Sequence, residues 1–77
     1  MKDIEKMECL EHLGKAIKEK RIEQGLTQKQ VCELVGLPSQ GHYSQIEAGQ
    51  RDAEFVTLVK ICRLLNIDLN AIIASYM

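Results

Sequence analysis

Apolar residues along the chain recur at helical rather than strand spacing. Leu10, Leu13, Ile17 and then Arg21 fall at i, i+3, i+7 and i+11, which predicts a helix over about 10–24. Gly25 stops it, and it begins as early as Ile4 if Asp3 is its cap. Thr27 and Gln30 have capping-box spacing for a second helix, Gln28 to Val35, with Val31, Cys32 and Val35 as its apolar face. Gly36 ends that helix. Pro38 cannot continue it, and Ser39 caps a third helix from about Gln40 to Ala48, with Tyr43 and Ile46 turned inward. After Gly49 and the loop QRDAE, Phe55, Leu58, Ile61, Cys62 and Leu65 form one face of a fourth helix. Asn66 is its left-handed cap, and Asp68 caps a fifth helix from Leu69 to about Tyr76. Five short helices with tight connections predict a compact all-α domain over 1–77. Its parts are a charged N-terminal extension (1–11), a helix-turn-helix (27–48) and a C-terminal helix (68–77).

Composition changes this picture only at the margins. The chain has 77 residues, near the lower limit for a self-sufficient core. Aromatics are only 4%, so the core must be aliphatic. No apolar run approaches the roughly 20 residues that span a bilayer, and the charged start MKDIEKMECLEHL has no signal-peptide core. Three Cys without CxxC spacing argue for a reducing compartment, so a cytoplasmic protein is expected. Cys9-x-x-His12 offers two ligands, too few for a zinc site, so neither metal nor cofactor is expected. No catalytic constellation is visible, and an enzyme is not expected.

Net charge is −1 but unevenly placed. Residues 1–11 carry −2, residues 12–25 carry +2 through Lys15, Lys18, Lys20 and Arg21, and residues 26–51 are neutral. The strongly basic signature of many nucleic-acid binders is therefore missing.

The run LGKAIKEKRIEQGLTQKQVCELVGL, followed by YSQIEAGQRDAEFVTLVKICRLLNIDLNAII, resembles the lambda-repressor-like (Xre-type) helix-turn-helix family. The resemblance covers about 13–73. It rests on Arg21 with Gly25-Leu26-Thr27-Gln28, on Ile46-Glu47-x-Gly49-x-Arg51, and on Leu58, Ile61, Leu65 and Ile67. It implies a sequence-specific DNA-binding transcriptional regulator, dimeric, and in the expected case a repressor on a palindromic operator. Three features depart from the family pattern: the longer turn GLPS, Gly41 near the start of the third helix, and Ala53 in a slot often held by Pro.

In this geometry the second helix of the motif enters the major groove. Reading bases needs hydrogen-bond donors and acceptors rather than net charge. Gln40, His42, Ser44 and Gln45 supply them, and Gly41 lets the backbone approach, so these five are the expected base contacts. Phosphate contacts are expected at the helix starts Thr27 and Ser39 and at Lys29, Gln50 and Arg51. The resemblance adds Gln28. Lys18 and Lys20 read as solubilising charges.

The resemblance also implies a partly buried structural ion pair between Arg21 and Glu47. Cys32 and Cys62 read as small core residues. Leu69, Ile72, Ile73 and Tyr76, extended by Met77, exceed the single stripe that closes a domain, so they are the expected homodimer interface. Double-stranded DNA and a second copy are thus the expected partners. The alternative is a protein-interaction module or antitoxin on the same fold, with a toxin or anti-repressor as protein partner.

Overall fold

The computed structural model describes residues 3–76; Met1, Lys2 and Met77 lie outside the described residues. Five helices follow one another: α1 (Asp3–Glu23), α2 (Gln28–Val35), α3 (Gln40–Glu47), α4 (Phe55–Leu65) and α5 (Leu69–Tyr76). Among the described residues there is no strand. The helix α1 begins at Asp3, one residue before the earlier of its two expected starts, so Asp3 is its first residue rather than its cap, and most of the charged segment 1–11 lies in its first half.

Local signals explain the boundaries. Thr27 Oγ1 accepts from the Gln30 N–H at 3.1 Å, and Gln30 Oε1 accepts from the Thr27 N–H at 2.8 Å, which completes the capping box. Gly36 adopts φ 85°, where a side chain would be strained, and this lets the chain leave α2 at once. The N–H groups of Gly36 and Leu37 both return to the Cys32 carbonyl at 3.0 Å. The Cys32 thiol reaches the Leu37 carbonyl at 3.6 Å and so ties down the turn. Ser39 Oγ accepts from the His42 N–H at 3.1 Å and starts α3. Asn66 ends α4 at φ 58°, and Asp68 Oδ1 accepts from the Asn70 N–H at 3.0 Å.

The core is formed by Ile17 of α1, Val31, Cys32 and Val35 of α2, Tyr43 and Ile46 of α3, and Ile61 and Leu65 of α4. The helix α1 packs on α3, α4 and α5, and α2 packs on α3 and α4. Burial pushes the pKa of the Cys62 thiol up, which suits a packing role rather than a reactive thiolate. The Gln24 side-chain amide donates to the Leu65 carbonyl and closes the end of α4 against the end of α1.

One core expectation fails. Phe55 is 74% exposed, beside Val56 at 63%. The 3.6-residue period puts Phe55 at the edge of the α4 stripe rather than its centre. It is also the first residue of the helix, beyond the reach of the packed neighbours.

No helix among the described residues is long and apolar enough to cross a membrane.

Candidate nucleic-acid interface

The inward side of α3 carries Tyr43, Ile46 and Glu47, all buried. At about 100° per residue, Gly41, Ser44 and Gln45 fall on the opposite side, with Gln40 and His42 flanking them. Gln40, Gly41 and Gln45 are exposed, while His42 and Ser44 are half-buried. The five expected base contacts therefore span an arc of about 200° that takes in the outward side of α3, with Gln40 within about 20° of the buried Glu47. An added Cβ at Gly41 would meet nothing closer than Ser39 Oγ at 3.9 Å. Packing within the chain does not demand glycine there.

Glu47 sets how α3 is held. Arg21 Nε donates to Glu47 Oε2 at 2.6 Å and Arg21 Nη2 to Glu47 Oε1 at 3.2 Å, a fork-to-carboxylate pair whose side chains are 12% and 2% exposed. Arg21 Nη1 also donates to the Leu26 carbonyl at 2.8 Å. Gln28 Nε2 donates to Glu47 Oε1 at 3.0 Å. One carboxylate thus joins the end of α1, the start of α2 and the end of α3. The implied ion pair is present, and Gln28 extends it. Of the expected phosphate contacts, Gln28 is the one whose amide is committed inside the fold, and it is half-buried.

Burial alone would push the Glu47 carboxyl up. The donors from Arg21 and Gln28 outweigh it and hold the pKa below the ordinary carboxylate value. The bond to Glu47 raises the Arg21 guanidinium in turn. Tyr43 lies beside the pair. Burial above all, and then the nearby Glu47 carboxylate, push its hydroxyl well above its ordinary value, and among the described residues that hydroxyl has no hydrogen-bond partner of good geometry.

The other expected phosphate contacts surround α3. Thr27, Lys29, Ser39, Gln50 and Arg51 are all exposed. Thr27 and Ser39 each accept a hydrogen bond in a cap, so their hydroxyl protons remain to be donated outward. Lys20 instead stands 3.7 Å from Glu23, an exposed pair on α1. Arg51 is also the donor of a 2.8 Å bond from Nε to Gln45 Oε1. Six positions apart, an expected base contact and an expected phosphate contact are thus joined directly.

Gly14, outside the set of expected site residues, is where α1 crosses α3. A Cβ there would lie 2.6 Å from the Ile46 carbonyl oxygen and 2.8 Å from the Glu47 carbonyl carbon. The spacing Leu13-Gly14-x-x-Ile17 on one apolar face was the available signal.

On the expected dimer helix, Leu69 and Ile72 are half-buried, Ile73 is 48% exposed and Tyr76 is 37% exposed. Tyr76 is engaged within the chain. Its ring lies 5.4 Å from that of His12, and its hydroxyl donates to the Glu5 carbonyl at 3.4 Å. His12 Nε2 also bonds Ser75 Oγ at 2.9 Å, which ties α1 to α5. Among the described residues no group of three or more His, Cys, Asp or Glu side chains is placed to hold a metal ion.

The helix-turn-helix family profile matches residues 17–72. No curated protein sequence matches the chain. Among solved structures, the crystal structure of the restriction-modification controller protein C.AhdI from Aeromonas hydrophila is similar at 28% identity and a TM-score of 0.73. The likeness covers 82% of this chain and 94% of that one. With an α2–turn–α3 unit braced on α1 and a match over most of its length, the chain belongs to the lambda-repressor-like (Xre-type) helix-turn-helix family of DNA-binding transcriptional regulators.

Proposed function

We propose that the protein is a homodimeric repressor that reads a palindromic operator by laying α3 in the major groove. The observation that carries this reading is the division of α3. One side is buried and pinned through Glu47, and the other presents uncharged donors and acceptors at Gln40, His42, Ser44 and Gln45. Such groups discriminate base edges without net positive charge. Affinity then comes from Thr27, Lys29, Ser39, Gln50 and Arg51, with a smaller part for Gln28 because its amide is shared with Glu47. Likeness to a restriction-modification controller supports a regulatory protein of this size.

A salt titration of binding to a random duplex tests the reading. Each phosphate contact steepens the slope of log affinity against log salt by about 0.9. A steep loss of affinity with salt is expected, and absence of duplex binding at low salt would overturn the proposal.

Gly41 supplies a second check. Ala at this position has room, and it should stabilise α3 by about 0.5–1 kcal/mol because glycine is the poorer helix former. In the proposed complex the same methyl group meets DNA. Gly41→Ala is expected to raise the melting temperature while weakening operator binding. A variant that binds as tightly as the parent would remove Gly41 from the interface.

Dimerisation is assigned to α5. No α5 residue among those described is fully buried in the single chain, and Ile73 points an aliphatic side chain outward. A two-fold axis there would set the recognition helices about 34 Å apart, one turn of DNA. Ile73→Asp should yield a folded monomer in analytical ultracentrifugation at micromolar concentration. A dimer that persists would move the interface to the exposed Phe55–Val56 pair.

A further inference from the structure

Gln45 and Arg51 are six residues apart, yet Arg51 Nε lies 2.8 Å from Gln45 Oε1. The path between them explains how. The Gln50 N–H returns to the Gln45 carbonyl at 2.9 Å, and Gly49 takes φ 74°, so the chain folds back over the end of α3. Gly49 has no room for a side chain, because an added Cβ would lie 2.7 Å from Glu11 Cα. The return of Arg51 is therefore built into the packing of α1 against this turn.

The chemistry of the contact is directional. An arginine Nε–H can only donate, so the Gln45 atom facing it must be the amide oxygen. Both amide protons then remain on the other side, where among the described residues they meet no partner. A free glutamine suits adenine, because its oxygen accepts from N6 while its nitrogen donates to N7. With its oxygen turned toward the cation, the glutamine turns both N–H groups toward the DNA, while the oxygen keeps one lone pair. In the major groove, guanine is the base that offers two adjacent acceptors, O6 and N7. Arg51 keeps its two Nη groups free of this bond, and these are the groups that grip a phosphate in a fork.

Building on the DNA-reading function proposed above, we infer that Arg51 sets base specificity by orienting the Gln45 amide, so that Gln45 donates to guanine while Arg51 holds the adjacent phosphate. In water, an exposed hydrogen bond of this kind is weak. On the DNA surface it is shielded from solvent and strengthened. Lysine cannot replace it, since a single ammonium cannot both hold the glutamine oxygen along a fixed direction and fork onto a phosphate.

The test is selection of bound duplexes from a random pool by the full chain and by Arg51→Lys, which keeps the charge. Thermal melting confirms that the variant is folded. For the parent, guanine is expected over adenine by about tenfold or more at the position that Gln45→Ala renders indifferent. For Arg51→Lys, that ratio should fall to within about twofold or reverse toward adenine, while the salt slope stays the same. In a Gln45→Ala background, Arg51→Lys should cause no further change in base preference. If the parent selects a sequence and Arg51→Lys keeps its base preferences, Arg51 is a phosphate contact only and the inference is overturned. A parent that selects no sequence at all overturns the DNA-reading proposal itself.

Discussion

Arg21→Ala is expected to lower the melting temperature by at least about 12 °C. The arginine supplies two hydrogen bonds to a Glu47 carboxylate that is almost wholly buried, and a third to the Leu26 carbonyl. Its loss leaves a buried charge with only Gln28 to satisfy it. Breaking a buried pair in this way costs about 3–5 kcal/mol. A domain of this length has roughly 4–12 kcal/mol of stability in total, and each kcal/mol shifts its melting temperature by about 4–8 °C. The double variant Arg21→Met with Glu47→Leu should recover much of the loss, because apolar replacement removes both charges together. Circular-dichroism melting checks both outcomes, and an Arg21→Ala midpoint within a few degrees of the parent would refute a structural role for the pair. The pH dependence follows from the same contact. Because the folded-state pKa of Glu47 is depressed, its contribution is fully present above the ordinary carboxylate value, about 4.3. It is lost as pH falls from there through the lower folded-state value.

Gly14→Ala is expected to destabilise the fold, against the usual sign for its position. In the middle of an exposed helix, alanine is better than glycine by about 0.5–1 kcal/mol. Here the new methyl group would meet the Ile46 carbonyl oxygen at 2.6 Å and the Glu47 carbonyl carbon at 2.8 Å, both backbone atoms that no rotamer change can move. The helices α1 and α3 would have to separate. Overpacking of this kind typically costs about 1–3 kcal/mol. The displaced element is α3, the proposed recognition helix, and one of the two residues met is Glu47, which anchors it. Operator affinity should therefore fall beyond what the unfolded fraction explains. Chemical denaturation alongside duplex titration separates the two effects, and a variant more stable than its parent would show that the α1–α3 crossing has slack.

The helix boundaries were legible in the sequence because the signals that set them are local. Thr27 with Gln30, Ser39, Asn66 and Asp68 each act within a few residues, and the structure places each in its expected cap. The apolar faces of α2 and α3 followed from period alone. What stayed hidden depends on where elements meet. Phe55 obeys the period of α4, but nothing near it in the chain tells that α4 begins outside the packed bundle. Gly14 looks like an ordinary mid-helix glycine until α3 is laid across it. The His12–Ser75 contact spans 63 positions, and the link between Gln28 and Glu47 spans 19. The residues of the candidate interface were named from their chemistry. Their coupling, Arg51 to Gln45 above all, required the fold of the turn at Gly49.

The central claim is that the outward face of α3 reads base sequence. It is tested most directly by the ratio of affinity for the selected duplex to affinity for a random one, compared between the parent and the double variant Gln40→Ala with Gln45→Ala. The account predicts a parent ratio of about a thousand or more, and a variant ratio within about tenfold of unity, with random-duplex affinity retained. A variant that keeps the parent's ratio, or loses affinity for both duplexes equally, would contradict it.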